Sequence, residues 1–223
     1  MREGESRPAS GPPHLDTVDQ NHLVARIEEL AAAHDRVLLG ITGSPGAGKS
    51  TLAAGLTEAL RTRGVSVASV PMDGFHLADV ELDRLGRRER KGAIDTFDGY
   101  GYLALLRRLA SETGNTVYAP TFDRTTEQPV AGAIAVEPAT RVVLTEGNYL
   151  LDESGPWGDV RRALTEVWYC DLPDDVRRQR LVARHIRFGK TPAHARQWVD
   201  EVDQRNAERI EAARRLADLV VHA

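Results

Sequence analysis

Gly43-Ser44-Pro45-Gly46-Ala47-Gly48-Lys49-Ser50 fits the pattern G-x-x-x-x-G-K-[ST], in which each fixed residue has a task at a phosphate. Glycines let the backbone wrap closely enough for successive N–H groups, from Gly43 through Ser44, Gly46, Ala47, Gly48 and on to Thr51, to face phosphate oxygens. The positive end of the helix that follows adds about half a charge of attraction. Lys49 is expected to reach the β- and γ-phosphates of ATP, and the Ser50 hydroxyl to ligate Mg²⁺. The chain has only three lysines, at positions 49, 91 and 190, so composition alone does not readily produce the pattern.

Two carboxylates follow apolar runs: Asp73 after Val65–Met72 and Glu146 after Val142–Thr145. In open α/β sheets ligands collect at the carboxyl ends of strands, where both would project. Phosphoryl transfer needs an acceptor for the attacking hydroxyl's proton and oxygen ligands for Mg²⁺, tasks that suit such a pair. Each is also followed by glycine, so plain turn dipeptides remain the competing reading. Arg177, Arg180, Arg184 and Arg187 fall within about an 80° arc of one helix face. Such a ladder could close over a nucleotide, or be a solvated face in an arginine-rich chain. Phe188-Gly189-Lys190 and then Thr191-Pro192 read as a glycine turn, an N-cap and a proline at the first helical position. Helix, turn and new helix make a hinged lid, which would exclude water during transfer.

These groups need a frame. Strand-like runs occur at Val37–Thr42, Val65–Val70, Thr116–Ala119, Arg141–Thr145, Val167–Asp171 and Leu219–His222. Helical patterns cover Val18–Ala33, Lys49–Thr62, Tyr100–Glu112, Asp174–Phe188 and Pro192–Ala217. The alternation predicts an α/β fold with a mostly parallel sheet and helices on both faces. Tyr118–Val136 is short, bounded by proline and partly alternating, and is expected to form a small antiparallel flap beside the sheet.

The 223 residues suit one domain, expected over 18–223 after a flexible tail at 1–17. A net charge of −4 gives no general attraction to nucleic acid. Cys170 is the only cysteine, so no intrachain disulfide forms and a reducing interior fits. The first sixteen residues lack the apolar stretch of a signal peptide, and no run is long enough to span a membrane; a cytoplasmic protein is expected. No His, Cys, Asp or Glu spacing matches a zinc set. Trp157, Trp168 and Trp198 are expected in the core or the wall of a substrate site, since no basic groove accompanies them.

Taken in order, Gly43–Ser50, Met72-Asp73-Gly74-Phe75-His76, Asp95-Thr96-Phe97-Asp98, Pro120-Thr121-Phe122-Asp123, Glu146-Gly147-Asn148-Tyr149 and the arginine-rich lid resemble the P-loop kinase family of uridine kinase, pantothenate kinase and phosphoribulokinase. The resemblance spans roughly 37–221. It implies the three-layer P-loop fold, ATP and Mg²⁺ as cofactors, and a small-molecule acceptor, with a homodimer possible. By position, it implies that Asp73 is the general base, Lys49 the phosphate lysine, Ser50 and Glu146 the metal side, and Arg184 a lid arginine on the phosphates beside Arg180 and Arg187. His76, Asp95, Asp98, Phe122, Asp123, Arg124, Glu146, Asn148, Tyr149 and Asn206 would then form the acceptor side. Asp123-Arg124 stands where relatives place a histidine, and an acid–base pair would suit a polyhydroxylated acceptor. Two rivals come from other classes: a nucleotide-switched GTPase or assembly ATPase, against which the chain lacks an Asn-Lys-x-Asp element for guanine, and a module that binds nucleotide without transfer.

Overall fold

Apolar runs such as Val37–Thr42, buried at every position, form a strand only if both faces of its sheet are covered. A computed structural model, which describes residues 14–15 and 20–222, shows that arrangement. In chain order the elements are β1 (His14–Leu15), α1 (Gln20–Ala33), β2 (Val37–Thr42), α2 (Lys49–Thr62), β3 (Val67–Ser69), α3 (Asp79–Arg84), α4 (Gly99–Ser111), β4 (Val117–Asp123), β5 (Gln128–Val136) and β6 (Val142–Glu146). They continue with α5 (Trp157–Ala163), β7 (Glu166–Asp171), α6 (Asp174–Arg187), α7 (Pro192–Trp198), α8 (Gln204–Ala212) and β8 (Leu219–His222). The main sheet runs β1-β8-β7-β2-β6-β3 with every pairing parallel.

Alternate residues of one strand feed two cores. Val37, Leu39 and Ile41 pack with α1 and α2, while Leu38 faces the opposite side with Val143, Val167 and the apolar stripes of α4 and α5. This is the three-layer fold expected from the alternation. Gly40 lies where a Cβ would come 2.9 Å from the Leu164 side chain, so the helical layer sits directly against β2.

The flap is also as expected: β4 and β5 pair antiparallel, apart from the main sheet, with a register shift between Ala119 and Thr121. The Thr116–Ala119 run therefore belongs to the flap, not to the parallel sheet. The expected helix at 192–217 is broken. α7 ends at Trp198, Val199–Asp203 forms a π-turn, and α8 follows. A π-turn widens the helix by one residue, and here it leaves Asp203 buried and hydrogen-bonded to His185 of α6 at 2.7 Å. The start of the expected Val18 helix and most of the expected tail lie outside the described residues. Within that tail, His14 and Leu15 align with Val220 and Val221.

Candidate active site

The phosphate loop joins β2 to α2. Gly46 and Gly48 take left-handed φ values of 84° and 96°, conformations that favour glycine. A Cβ on Gly46 would lie 2.8 Å from the Leu181 side chain and 3.0 Å from the Arg177 carbonyl oxygen, so α6 rests on the loop itself. Gly46→Ala is expected to cost about 2 kcal/mol from strain and overpacking. For a chain of this size that lowers Tm by roughly 4 to 8 °C, readable by scanning calorimetry; an unchanged Tm would mean α6 does not bear on the loop.

Lys49 is buried, and its ammonium donates to the carbonyl oxygens of Gly43 at 2.8 Å and Ser44 at 3.2 Å. Burial lowers its pKa, against the opposing pull of Glu146 and Asp73. The Ser50 hydroxyl donates to the Glu146 carboxylate at 3.1 Å. Burial, and then the nearby Asp73 charge, push the Glu146 carboxyl above its ordinary range. Ser50 and Glu146 supply hard oxygens from two elements. Among the described residues no group of three His, Cys, Asp or Glu side chains could hold a metal. The donor set thus fits Mg²⁺, which takes few protein oxygens and completes its shell with phosphate and water.

The two Asp-Gly and Glu-Gly pairs are explained by packing. Neither Gly74 nor Gly147 has positive φ. A Cβ on Gly147 would sit 2.5 Å from that of Met72, and one on Gly74 2.6 Å from the Pro120 carbonyl oxygen. Close approach at Gly147 draws the end of β6 against the one-turn 3₁₀ segment Met72–Phe75, which brings Glu146 beside Asp73. Close approach at Gly74 seats the flap on the same turn. Asp73 then faces Arg124 of the flap at 3.4 Å, a loose contact that leaves the carboxylate accessible.

Two cavities flank the loop. One of about 690 Å³ is lined by Gly46, Gly48, Thr51, Leu52, Arg180 and Arg184, where a nucleotide leaving the helix N-terminus would lie. The other, of about 480 Å³, brings together Lys49, Asp73, His76, Phe122, Arg124, Glu146, Asn148, Arg184 and Asn206. Arg184 borders both. Outside the phosphate loop, five expected residues line neither cavity. Asp95 is held by Arg87 at 3.5 Å and Arg90 at 2.6 Å. Asp98 caps α4 by accepting from the Gly101 amide at 2.8 Å. Asp123 accepts from the Thr125 and Thr126 amides, tightening the flap turn. Tyr149 is buried, with its hydroxyl donating to the Gly92 carbonyl at 2.7 Å. Arg187 is exposed at the end of α6 and lines neither cavity. Arg177, one member of the arginine ladder, is buried and donates to the Asp174 and Gln204 side chains and to the Pro45 carbonyl oxygen. It ties the base of α6 to the loop.

The cavity also contains residues that no spacing singled out. Asp79 bridges Arg88 at 2.9 Å and Lys91 at 2.7 Å. Lys91 lies 5.3 Å from the Phe122 ring centroid, and Lys190 lies 4.5 Å from that of Trp198. Only the tertiary arrangement of loop, flap and lid gathers them; the nearest sequence signal was Trp198 as a possible substrate wall. His76 stacks on Phe97 at 3.9 Å between centroids, with Phe122 at 5.1 Å. Burial pushes its pKa down to about 4, despite the attraction of Asp73, with Lys91 and Arg124 adding to the fall. An unfolded histidine titrates near 6.5, so between about pH 4 and 6.5 the unfolded chain binds the extra proton. Stability should therefore fall as pH drops through that window, by up to about 3 kcal/mol from this group. Denaturant unfolding of the parent and His76→Phe from pH 7 to 4 should show a shallower slope in the variant; equal slopes would remove His76 as the cause.

Sequence and fold comparisons place the relatives of this chain among kinases. A candidate uridine kinase of Schizosaccharomyces pombe is 36% identical over 214 residues, covering 92% of this chain and 91% of its own. The crystal structure of a candidate fructose transport system kinase from Silicibacter is 37% identical, with a TM-score of 0.80 over 89% of this chain and 98% of that one. The chain belongs to the uridine kinase-like P-loop kinase family. Saccharomyces cerevisiae YFH7, a candidate P-loop kinase described as circularly permuted, shares the fold with a TM-score of 0.78, 21% identity and coverage of 92% and 99%. The model of the methylmalonyl-CoA mutase-associated GTPase MeaB matches residues 10–76, the segment around the phosphate loop. Membership in the kinase family implies nucleotide binding at that loop. Among the described residues no helix is long and apolar enough to cross a membrane.

Proposed function

We propose that this chain is an ATP- and Mg²⁺-dependent phosphotransferase that acts on a hydroxyl of a small metabolite in the cytoplasm. The observation that carries it is the single cavity in which Lys49, Asp73, Glu146 and Arg184 meet the flap residues Phe122 and Arg124. A nucleotide switch has no need of an aspartate opposite the phosphate lysine, or of a flap that forms a second compartment.

Main-chain amides and Lys49 hold the triphosphate. Ser50, with Glu146 near it, would hold Mg²⁺, which when bound would neutralise phosphate charge. Asp73 accepts the proton of the acceptor hydroxyl as its oxygen bonds to the γ-phosphorus and the bond to the β,γ-bridging oxygen breaks, releasing ADP. Arg180 flanks the donor side, while Arg184 faces the charge on the transferred group. No covalent enzyme intermediate is needed; positioning and charge neutralisation supply the rate.

The match to a GTPase model favours one alternative, hydrolysis without an acceptor. ADP and GDP release, each measured with and without nucleosides, sugars, pantothenate and glycerate, separates the two. Release from ATP that depends on an added acceptor supports the kinase; acceptor-independent GTP turnover would overturn it.

A further inference from the structure

The cavity of about 690 Å³ beside the phosphate loop has one end that phosphate chemistry does not account for. Gln20, at the start of α1, and Gly55, in the middle of α2, form it. After proline, glycine is the least favourable residue inside a helix, and Gly55 has no positive φ that would require it. Its missing side chain has another use. A Cβ there would come 3.2 Å from the Gln20 Nε2, and the opening lets that nitrogen donate to the Gly55 carbonyl oxygen at 2.7 Å.

That bond fixes which way an exposed carboxamide faces. Turned over, Gln20 would set its own oxygen against the Gly55 carbonyl oxygen, two acceptors with no proton between them. As seated, its Oε1 has no partner among the described residues, and Nε2 keeps a second hydrogen. The side chain thus presents one acceptor and one donor in a set order to whatever fills this end of the cavity.

Position indicates the occupant. Gly55 lies four residues beyond Thr51, about 6 Å along the axis of α2, and both line the cavity. With the phosphates on the loop amides, the sugar and base of a nucleotide extend past Thr51 in this direction, where Leu52 and Leu181 offer apolar surface to a flat ring. Adenine carries a donating 6-amino group next to an accepting ring nitrogen, the pattern a glutamine meets with two hydrogen bonds. Guanine carries the acceptor O6 in the amino position, so the Gln20 oxygen would meet another oxygen.

Resting on the reading of the loop as an ATP site, we propose that Gln20 is the base-reading contact of the nucleotide. It accepts from the 6-amino group of adenine, and its tie to Gly55 makes the site select adenine over guanine nucleotides.

The test titrates the full chain, with Mg²⁺ present, with ATP, GTP and purine riboside triphosphate, which lacks the 6-amino group. The parent should bind ATP about tenfold or more tightly than either of the others. Gln20→Met keeps the length without either polar atom and should weaken ATP by about tenfold, with little change for purine riboside triphosphate. Gly55→Ala should do the same by displacing the carboxamide, and it should melt at the parent temperature or above, because alanine is the better helix former. Equal losses for ATP and purine riboside triphosphate in the Met variant would show a structural tie between α1 and α2. That result, or a parent that binds GTP as tightly as ATP, would overturn Gln20 as the base reader and leave transfer to an acceptor standing. A parent that selects ATP in this way but shows no acceptor-dependent ADP release would instead overturn the phosphotransferase reading and leave the contact in place. A parent that binds none of the three would overturn both.

Discussion

Asp73→Asn is expected to lower turnover by about 10²- to 10⁴-fold, the range a positioned general base supplies. Its carboxylate sits in the acceptor cavity near Lys49 and Glu146, and its only ion pair in the described structure is the loose 3.4 Å contact with Arg124. Asparagine keeps the shape but cannot take the proton. It also removes a negative charge that pushes the Glu146 carboxyl upward, so nucleotide affinity should hold or improve slightly. Acceptor-dependent ADP release gives the turnover, and fluorescent-nucleotide titration gives the affinity. Turnover within a few-fold of the parent would remove Asp73 as the base.

Arg184→Gln should be nearly as severe, with turnover falling by roughly 10³-fold or more, as when a transition-state arginine is lost. Arg184 alone among the ladder arginines borders both cavities, so under the proposed phosphotransfer its charge would face the group in transit. An interaction that matters only in the transition state should lower kcat and kcat/KM together and leave ATP KM little changed. Arg187→Gln, one turn further on and exposed, serves as the comparison and should remain close to the parent. Equal losses in both variants would point to the helix as a whole, not to one guanidinium.

The fold could be read from the sequence because its signals are local: continuous apolar runs for buried strands, helical spacing between them, and a glycine-lysine loop that only one backbone path satisfies. The site was legible where a residue sits at a fixed offset from a strand end, as with Asp73 and Glu146. It was not legible where a side chain's role depends on a distant neighbour. Asp98 and Asp123 look like ligand groups in sequence, but each carboxylate bonds to amides two or three residues away. Arg177 shares a helical arc with Arg184, yet seven residues of rotation and rise, about two turns, separate a buried tether from a cavity-lining charge. His185 and Asp203 were invisible as a pair because the turn that joins them departs from the regular helical period.

That extra residue in the Val199–Asp203 turn is absorbed within the turn, so the helix after it, including Asn206 in the cavity wall, keeps its phase. Deleting one residue there would let a continuous α-helix form with the downstream side chains still near their directions, but it would unseat the Asp203 carboxylate from His185. The more regular helix would lose one tie to α6. A one-residue difference in length among relatives should therefore be easier to accommodate at this turn than elsewhere along the lid helices, with the buried His185–Asp203 contact as what it costs.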